Sequence, residues 1–318
     1  MNNRRAILFV LIAALAVMSP ASGQEQEWPN RPVTIVYPWA PGATDASVRF
    51  IAKALSERFG QPFIVEIRSG AGGSVALAQV AKAAPDGYTI VFTAIGPAVL
   101  NTLLYKSIPY DHDRDFDPII LLADTPQVII SSPKLPIKTL ADLVAFGKEN
   151  PGKLTIGHPG AGTMGHLTAV LFLARAGIDG SAIAYRGTTP LVTDLLGGQI
   201  VAGSPAYTPA VESVTVLAVT SEQRVGFLPH VPTAREAGFD VIAGSWIAIA
   251  GPAGMPRGIV TKLNAAIDDY LKSEEGGRQF AQLGMRVLGG RPERVTQAMQ
   301  EDRLKWGPVI RAANIKLD

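Results

Sequence analysis

Cysteine is absent from all 318 residues. That excludes disulfides, thiolate zinc sites and a lipid anchor on an N-terminal cysteine. Long hydrophobic runs are missing as well. The longest, Ala6 to Met18, falls short of the roughly 20 residues a membrane span requires. It follows Arg4-Arg5 and ends at Ser19-Pro20-Ala21-Ser22-Gly23, which is the layout of a secretory signal peptide over residues 1–23, an uncleaved anchor being the other reading. Excess charge is lacking too, because removing that leader takes two of the 29 basic residues and none of the 27 acidic ones, leaving a formal charge of zero. A neutral mature chain argues against nucleic acid or an anionic membrane surface as partner.

Catalytic signatures are equally scarce. The chain contains no G-x-S-x-G elbow and no S-x-x-K with a matching K-T-G. The four histidines, His112, His158, His166 and His230, fall in no H-E-x-x-H or comparable ligand spacing. No catalytic residue, metal ligand or cofactor is therefore expected. His158 and His166 share one loop-helix segment, where a hydrogen-bonding role near a cleft competes with a metal site. The signal-peptide layout, with no cysteine to anchor a lipid, predicts an exported, soluble product, most simply in a bacterial periplasm.

What is present is alternation. Val33-Thr34-Ile35-Val36 reads as a strand, and the apolar stripe Val48, Ile51, Ala52, Leu55, Phe59 reads as a helix stopped by Gly60 and Pro62. Phe63 to Ile67 is a second strand, an Ala-rich helix runs to about Ala84, and Thr89 to Thr93 is a third strand after the turn Pro85-Asp86-Gly87-Tyr88. Such alternation predicts a parallel sheet with covered faces. A second unit repeats the pattern from Ile119 onward. Thr139-Leu140-Ala141-Asp142 has capping-box spacing, Leu154 to Ile156, Ala182 to Tyr185 and Val214 to Val219 are strands, and helices lie between them. Past Gly238 the chain is apolar to Ala250 and then almost wholly helical, so its last helices are expected to return to the first unit. The expected architecture is α/β and two-lobed, with residues 24–124 and 247–318 in one lobe, 125–246 in the other, and a cleft between them.

Two loops carry the chemistry. Tyr37 to Asp45 joins a strand to a helix through Pro41-Gly42-Ala43-Thr44, and Pro159-Gly160-Ala161-Gly162-Thr163 does the same in the second unit. Free N–H groups at a helix start, with the positive end of its dipole, bind an anion without a charged side chain. Ligands in open α/β sheets sit beyond the carboxyl ends of strands, where both loops fall. A dinucleotide reading of Gly160 to Gly165 fails, because His158-Pro159 intervene after the strand and Tyr185-Arg186 stand where an acidic residue belongs. Gly70-Ala71-Gly72-Gly73-Ser74 lacks the lysine of a phosphate loop. Asp45 is expected to cap its helix, or else to accept a hydrogen bond from a ligand. Arg186 either pairs with a carboxylate or remains solvated. Trp39 either lines the pocket or packs beneath the loop.

Eight ordered blocks carry a resemblance. Among them are Trp28-Pro29-Asn30-Arg31-Pro32-Val33, Pro41-Gly42 with Thr44-Asp45, Ala84-Pro85-Asp86-Gly87-Tyr88-Thr89, Asp194-Leu195-Leu196-Gly197-Gly198-Gln199 and Val231-Pro232-Thr233 with Glu236-Ala237-Gly238. From about Trp28 to Asp318 the chain resembles the substrate-binding proteins of tripartite tricarboxylate transporters, the Bug family. The resemblance implies a two-lobed, type II periplasmic-binding-protein-like fold that closes on a small organic carboxylate. It implies delivery to membrane transporter subunits by a monomeric receptor with no nucleic-acid partner. By matching position the ligand contacts would be Trp39, Ala40, Gly42, Ala43, Thr44 and Asp45 in the first loop, and Thr93, Ala94 and Ile95 after the third strand. In the second lobe they would be Gly160, Ala161, Gly162, Thr163 and His166, then Arg186, Gly187 and Thr188, and finally Ser204 and Ala206. Three departures from the family pattern stand out: Ala43 replaces a glycine, Ile67 replaces an asparagine, and Gly203-Ser204-Pro205-Ala206 replaces a Phe-Asp-Asn loop in a shortened segment. A receptor signalling to a sensor kinase and a secreted enzyme on a similar scaffold are the competing functions.

Overall fold

The computed structural model describes residues 28–39 and 44–317. The leader expected over residues 1–23, and the loop residues Ala40, Gly42 and Ala43, lie outside the described residues. Eleven strands are described in that span: β1 (Val33–Tyr37), β2 (Phe63–Ile67), β3 (Thr89–Ala94), β4 (Phe116–Pro126), β5 (Val128–Ser131), β6 (Leu154–His158), β7 (Gly180–Ala184), β8 (Ala202–Gly203), β9 (Thr215–Val219), β10 (Gly244–Pro252) and β11 (Arg286–Val287). They form two sheets, ordered β11-β4-β10-β3-β1-β2 and β7-β6-β8-β5-β9. Each sheet belongs to one lobe of a two-lobed α/β fold.

The sheets are mixed rather than parallel, which corrects the expectation from alternation. β1 pairs in parallel with β2 and β3, but β10 runs antiparallel to both β3 and β4, and β5 runs antiparallel to β8 and β9. The cause is routing. A chain that leaves one lobe along β4 and returns along β10 must lay those two strands in opposite directions in the same sheet.

The two crossings are joined by hydrogen bonds. Gln127, between β4 and β5, accepts at its carbonyl from Thr220 N at 2.9 Å, and Ala243 N donates to Thr220 O at 2.8 Å. The Thr220 hydroxyl lies 2.8 Å from the Gln127 carbonyl and 2.7 Å from that of Ala243, and Thr220 is fully buried. Residues after β10 do return to the first sheet. Helix Arg257–Lys272 and helix Glu293–Ala312 both pack on β4, and the buried Trp306 indole donates to Asp302 Oδ1 at 3.0 Å.

Local signals account for several elements. Helix Asp45–Phe59 buries Val48, Ile51, Ala52 and Leu55, one stripe at helical spacing, and stops at Gly60 in the left-handed conformation (φ 66°). Thr139 and Asp142 form both bonds of the capping box at the start of helix Leu140–Glu149. The helix after Gly73 is shorter than expected, ending at Val80. Among the described residues no helix is long and apolar enough to cross a membrane.

Candidate functional site

A cavity of about 390 Å³ opens between the two sheets. Trp39, Thr44, Ala94 and Ile95 line it from the first lobe, and Ala161, Gly162, Thr163 and Ala206 from the second. Thr44 immediately precedes helix Asp45–Phe59, and Thr163 precedes helix Met164–Ala176. Two helix N-termini, one per lobe, thus border a single cavity, and the free N–H groups and dipoles of both favour an anion between them.

Each loop is held from behind. Thr44 Oγ1 shares a 2.6 Å hydrogen bond with the Tyr37 hydroxyl, whose pKa is raised by burial. Trp39 sets its ring edge-on to Tyr37, at 5.5 Å between centroids, and to Phe92, at 6.1 Å, so it both packs on the core and lines the cavity. In the second lobe Thr163 caps its helix by accepting from His166 N at 3.3 Å while its hydroxyl donates to the Gly160 carbonyl at 2.7 Å. Gly162 N donates to His166 Nδ1 at 3.2 Å, which fixes the neutral tautomer with its proton on Nε2. The imidazole of His158 stacks on that of His166, 4.2 Å between centroids and 13° from parallel. Its Nδ1 lies 2.9 Å from the Gly160 carbonyl, a contact that places the proton on Nδ1. Desolvation, and secondarily the neighbouring His166, push the His158 pKa down to about 4, and desolvation lowers that of His166.

Other expected contacts lie outside the cavity lining. His166 stands one layer behind Gly162. Thr93 is fully buried, its hydroxyl without a partner. Gly160 turns its carbonyl toward Thr163 and His158. Ser204 is buried and donates to the Gly165 carbonyl at 2.8 Å. Arg186 is exposed, Gly187 N donates to the Pro159 carbonyl at 3.1 Å, and Thr188 opens helix Thr188–Gly197. Asp45 does not cap its helix. It is the first helical residue, and its Oδ2 accepts from Arg49 Nε at 3.0 Å one turn on, while Oδ1 is buried and unpartnered. Among the described residues no cluster of three histidine or carboxylate side chains is placed to hold a metal.

Sequence reasoning missed much of the lining. Asn101, Tyr105, Tyr207, Leu283, Met285 and Leu317 also line the cavity. Leu317 is brought there by a hydrogen bond from its N–H to the Leu104 carbonyl at 2.9 Å. Gly162 has φ +71°, a backbone that favours glycine, and a Cβ on it would lie 2.5 Å from Leu317 Cδ1.

Residues 47–315 match the tripartite tricarboxylate transporter family receptor, TctC. The chain belongs to that family. Protein BugT of Bordetella pertussis is 32% identical over 325 residues, covering 100% of this chain and 99% of its own. Among solved structures, R. palustris Rpa4515 with adipate is 34% identical, with a TM-score of 0.80 over 91% of this chain and 99% of that one. MatC from Rhodopseudomonas palustris with bound malate is 31% identical, with a TM-score of 0.73 over 89% of this chain and all of the other. The family is one of solute-binding receptors, and its members are periplasmic.

Proposed function

We propose that this receptor captures a small organic acid between its lobes, in the periplasm, and delivers it to membrane transporter subunits of the tripartite type without catalysing a reaction. The lobes divide as residues 24–124 with 247–318 and residues 125–246, and residues 1–23 direct export. The observation that carries the reading is the pair of helix N-termini at Thr44 and Thr163 bordering one cavity. Backbone N–H groups of Ala40, Gly42 and Ala43 and of Ala161, with the dipoles of the helices that follow Thr44 and Thr163, hold the carboxylate, partly through water, and Trp39 supplies an apolar wall. The adipate and malate of the two R. palustris neighbours support a carboxylate as the ligand class.

A thermal-unfolding panel of organic acids, sugars and amines on residues 24–318 tests this. Binding at a hundredfold excess over Kd adds roughly 2.7 kcal/mol, a shift readily seen. At least one carboxylate is expected to stabilise the chain. Stabilisation by sugars or amines alone, with every carboxylate inert, would refute anion capture.

A further inference from the structure

We propose that the ligand is a monocarboxylate with an elongated, uncharged and mainly apolar body, an inference that rests on the carboxylate reading above and narrows it. The cavity lining crosses the first sheet strand by strand: Trp39 follows β1, Ala94 ends β3, Ile247 lies in β10, Thr125 in β4, and Met285 directly precedes β11. Neighbouring strands stand about 4.8 Å apart, so the four steps from β1 to β11 span on the order of 19 Å. The N-terminus of helix Asp45–Phe59 stands at the β1 end. The β11 end is a different environment.

At that far end no charged side chain lines the cavity among the described residues. Leu283, Met285 and Ile247 form its apolar surface together with the ring of Tyr207. Tyr207 stacks on Phe227 at 4.7 Å and commits its hydroxyl to Glu212, so the cavity meets its ring rather than its polar group. Gly284 lies so close to that ring that a Cβ would fall 2.3 Å from Tyr207 Cδ1, which seals the wall between Leu283 and Met285. The cation next to this wall in the chain, Arg286, is held by Asp124 through two bonds of 3.0 Å. Lys106 and Lys316 border an adjoining hollow that meets the cavity at Tyr105 and Leu317, not at the wall of Leu283 and Met285. The polar groups that remain are neutral. Ser245 Oγ already accepts from Gln127 Nε2, Thr125 and Thr208 offer hydroxyls, and Pro209 removes an N–H from the turn that follows Thr208. A second carboxylate placed here would be desolvated without a cationic partner, whereas methylene or aryl groups gain from burial.

Calorimetric titration of the leaderless chain with octanoate, suberate and octan-1-ol is the test, since octanoate and suberate share a chain length and differ by one carboxylate. Octanoate is expected to bind at least about a hundredfold more tightly than suberate. Suberate binding as tightly as octanoate, or more so, overturns the uncharged far wall and leaves anion capture standing. If neither acid binds, the elongated monocarboxylate is overturned while the wider panel still decides anion capture, and if octan-1-ol matches octanoate, carboxylate capture itself falls. Leu283→Arg, checked for cooperative unfolding, should move the octanoate-to-suberate preference by about tenfold or more toward suberate. An unchanged preference in the folded variant contradicts the placement of the wall. If the variant does not fold, the ratio of octanoate to suberate affinity in the unmodified chain still upholds or overturns the proposal. Phenylbutyrate in place of octanoate separates aryl from alkyl bodies.

Discussion

At the scale of single residues, the histidine pair ties the anion loop to pH. His158 is buried and favours its neutral form when folded, with a pKa depressed to about 4, whereas in the unfolded chain it titrates near 6.5. The unfolded state then binds the extra proton more readily, so this contribution to stability is complete above pH 6.5 and is lost as pH falls toward 4. His112, lowered to about 4 by burial, acts in the same direction. Melting temperature followed from about pH 8 to about pH 4 should fall within that window, and His158→Asn should flatten the fall while leaving the share due to His112. A profile unchanged by the substitution would mean that His158 does not carry the effect. Protonation of His166 would also remove the Nδ1 acceptor that holds Gly162 N–H, so the loop loosens on the same side of neutrality. Of these details the sequence shows the proximity of the two histidines and no more. Stacking depends on the chain turning back at Gly160. Asp45 departs from its expected role because the helix begins at Asp45 itself, which moves the cap position back to Thr44 and turns the carboxylate to Arg49.

At the scale of elements, the strand-loop-helix units were legible because each carries its own signal. Helix Asp45–Phe59 has a stripe and a glycine stop, and the capping box at Thr139 has its reciprocal partners. Much of the remaining lining was not legible. Leu283, Met285 and Leu317 are isolated apolar residues in late segments, with no periodicity that marks a cleft, and only the return of the chain along β10 and its helices brings them to the cavity. Strand direction was lost for the same reason, since alternation reports the order of elements and not the course of a crossing. Gly162 joins the two kinds of element, loop and late segment. Gly162→Ala places a Cβ in a left-handed backbone and against Leu317, whose flexible end can shift, so the backbone term dominates at about 1–3 kcal/mol. Denaturant titration should show that loss, and ligand affinity should fall with it. Unchanged affinity would mean that the loop is not part of the site.

At the scale of the whole molecule, the two sheets are linked by crossings stitched at Gln127, Thr220 and Ala243, and the cavity lies where the lobes face each other. Such a layout suits capture by hinge closure, with one helix N-terminus contributed by each side. The central claim is directional: the carboxylate sits between Thr44 and Thr163, and the body of the ligand extends toward β11. A crystal structure of the leaderless chain with 8-bromooctanoate tests it most directly, because the anomalous signal of bromine marks the far end of the ligand. The predicted result is one bromine peak in van der Waals contact with Leu283 and Met285 and a carboxylate bordered by Thr44 and Thr163. Bromine beside Thr44 and Thr163, or the acid bound outside the cavity, would contradict it.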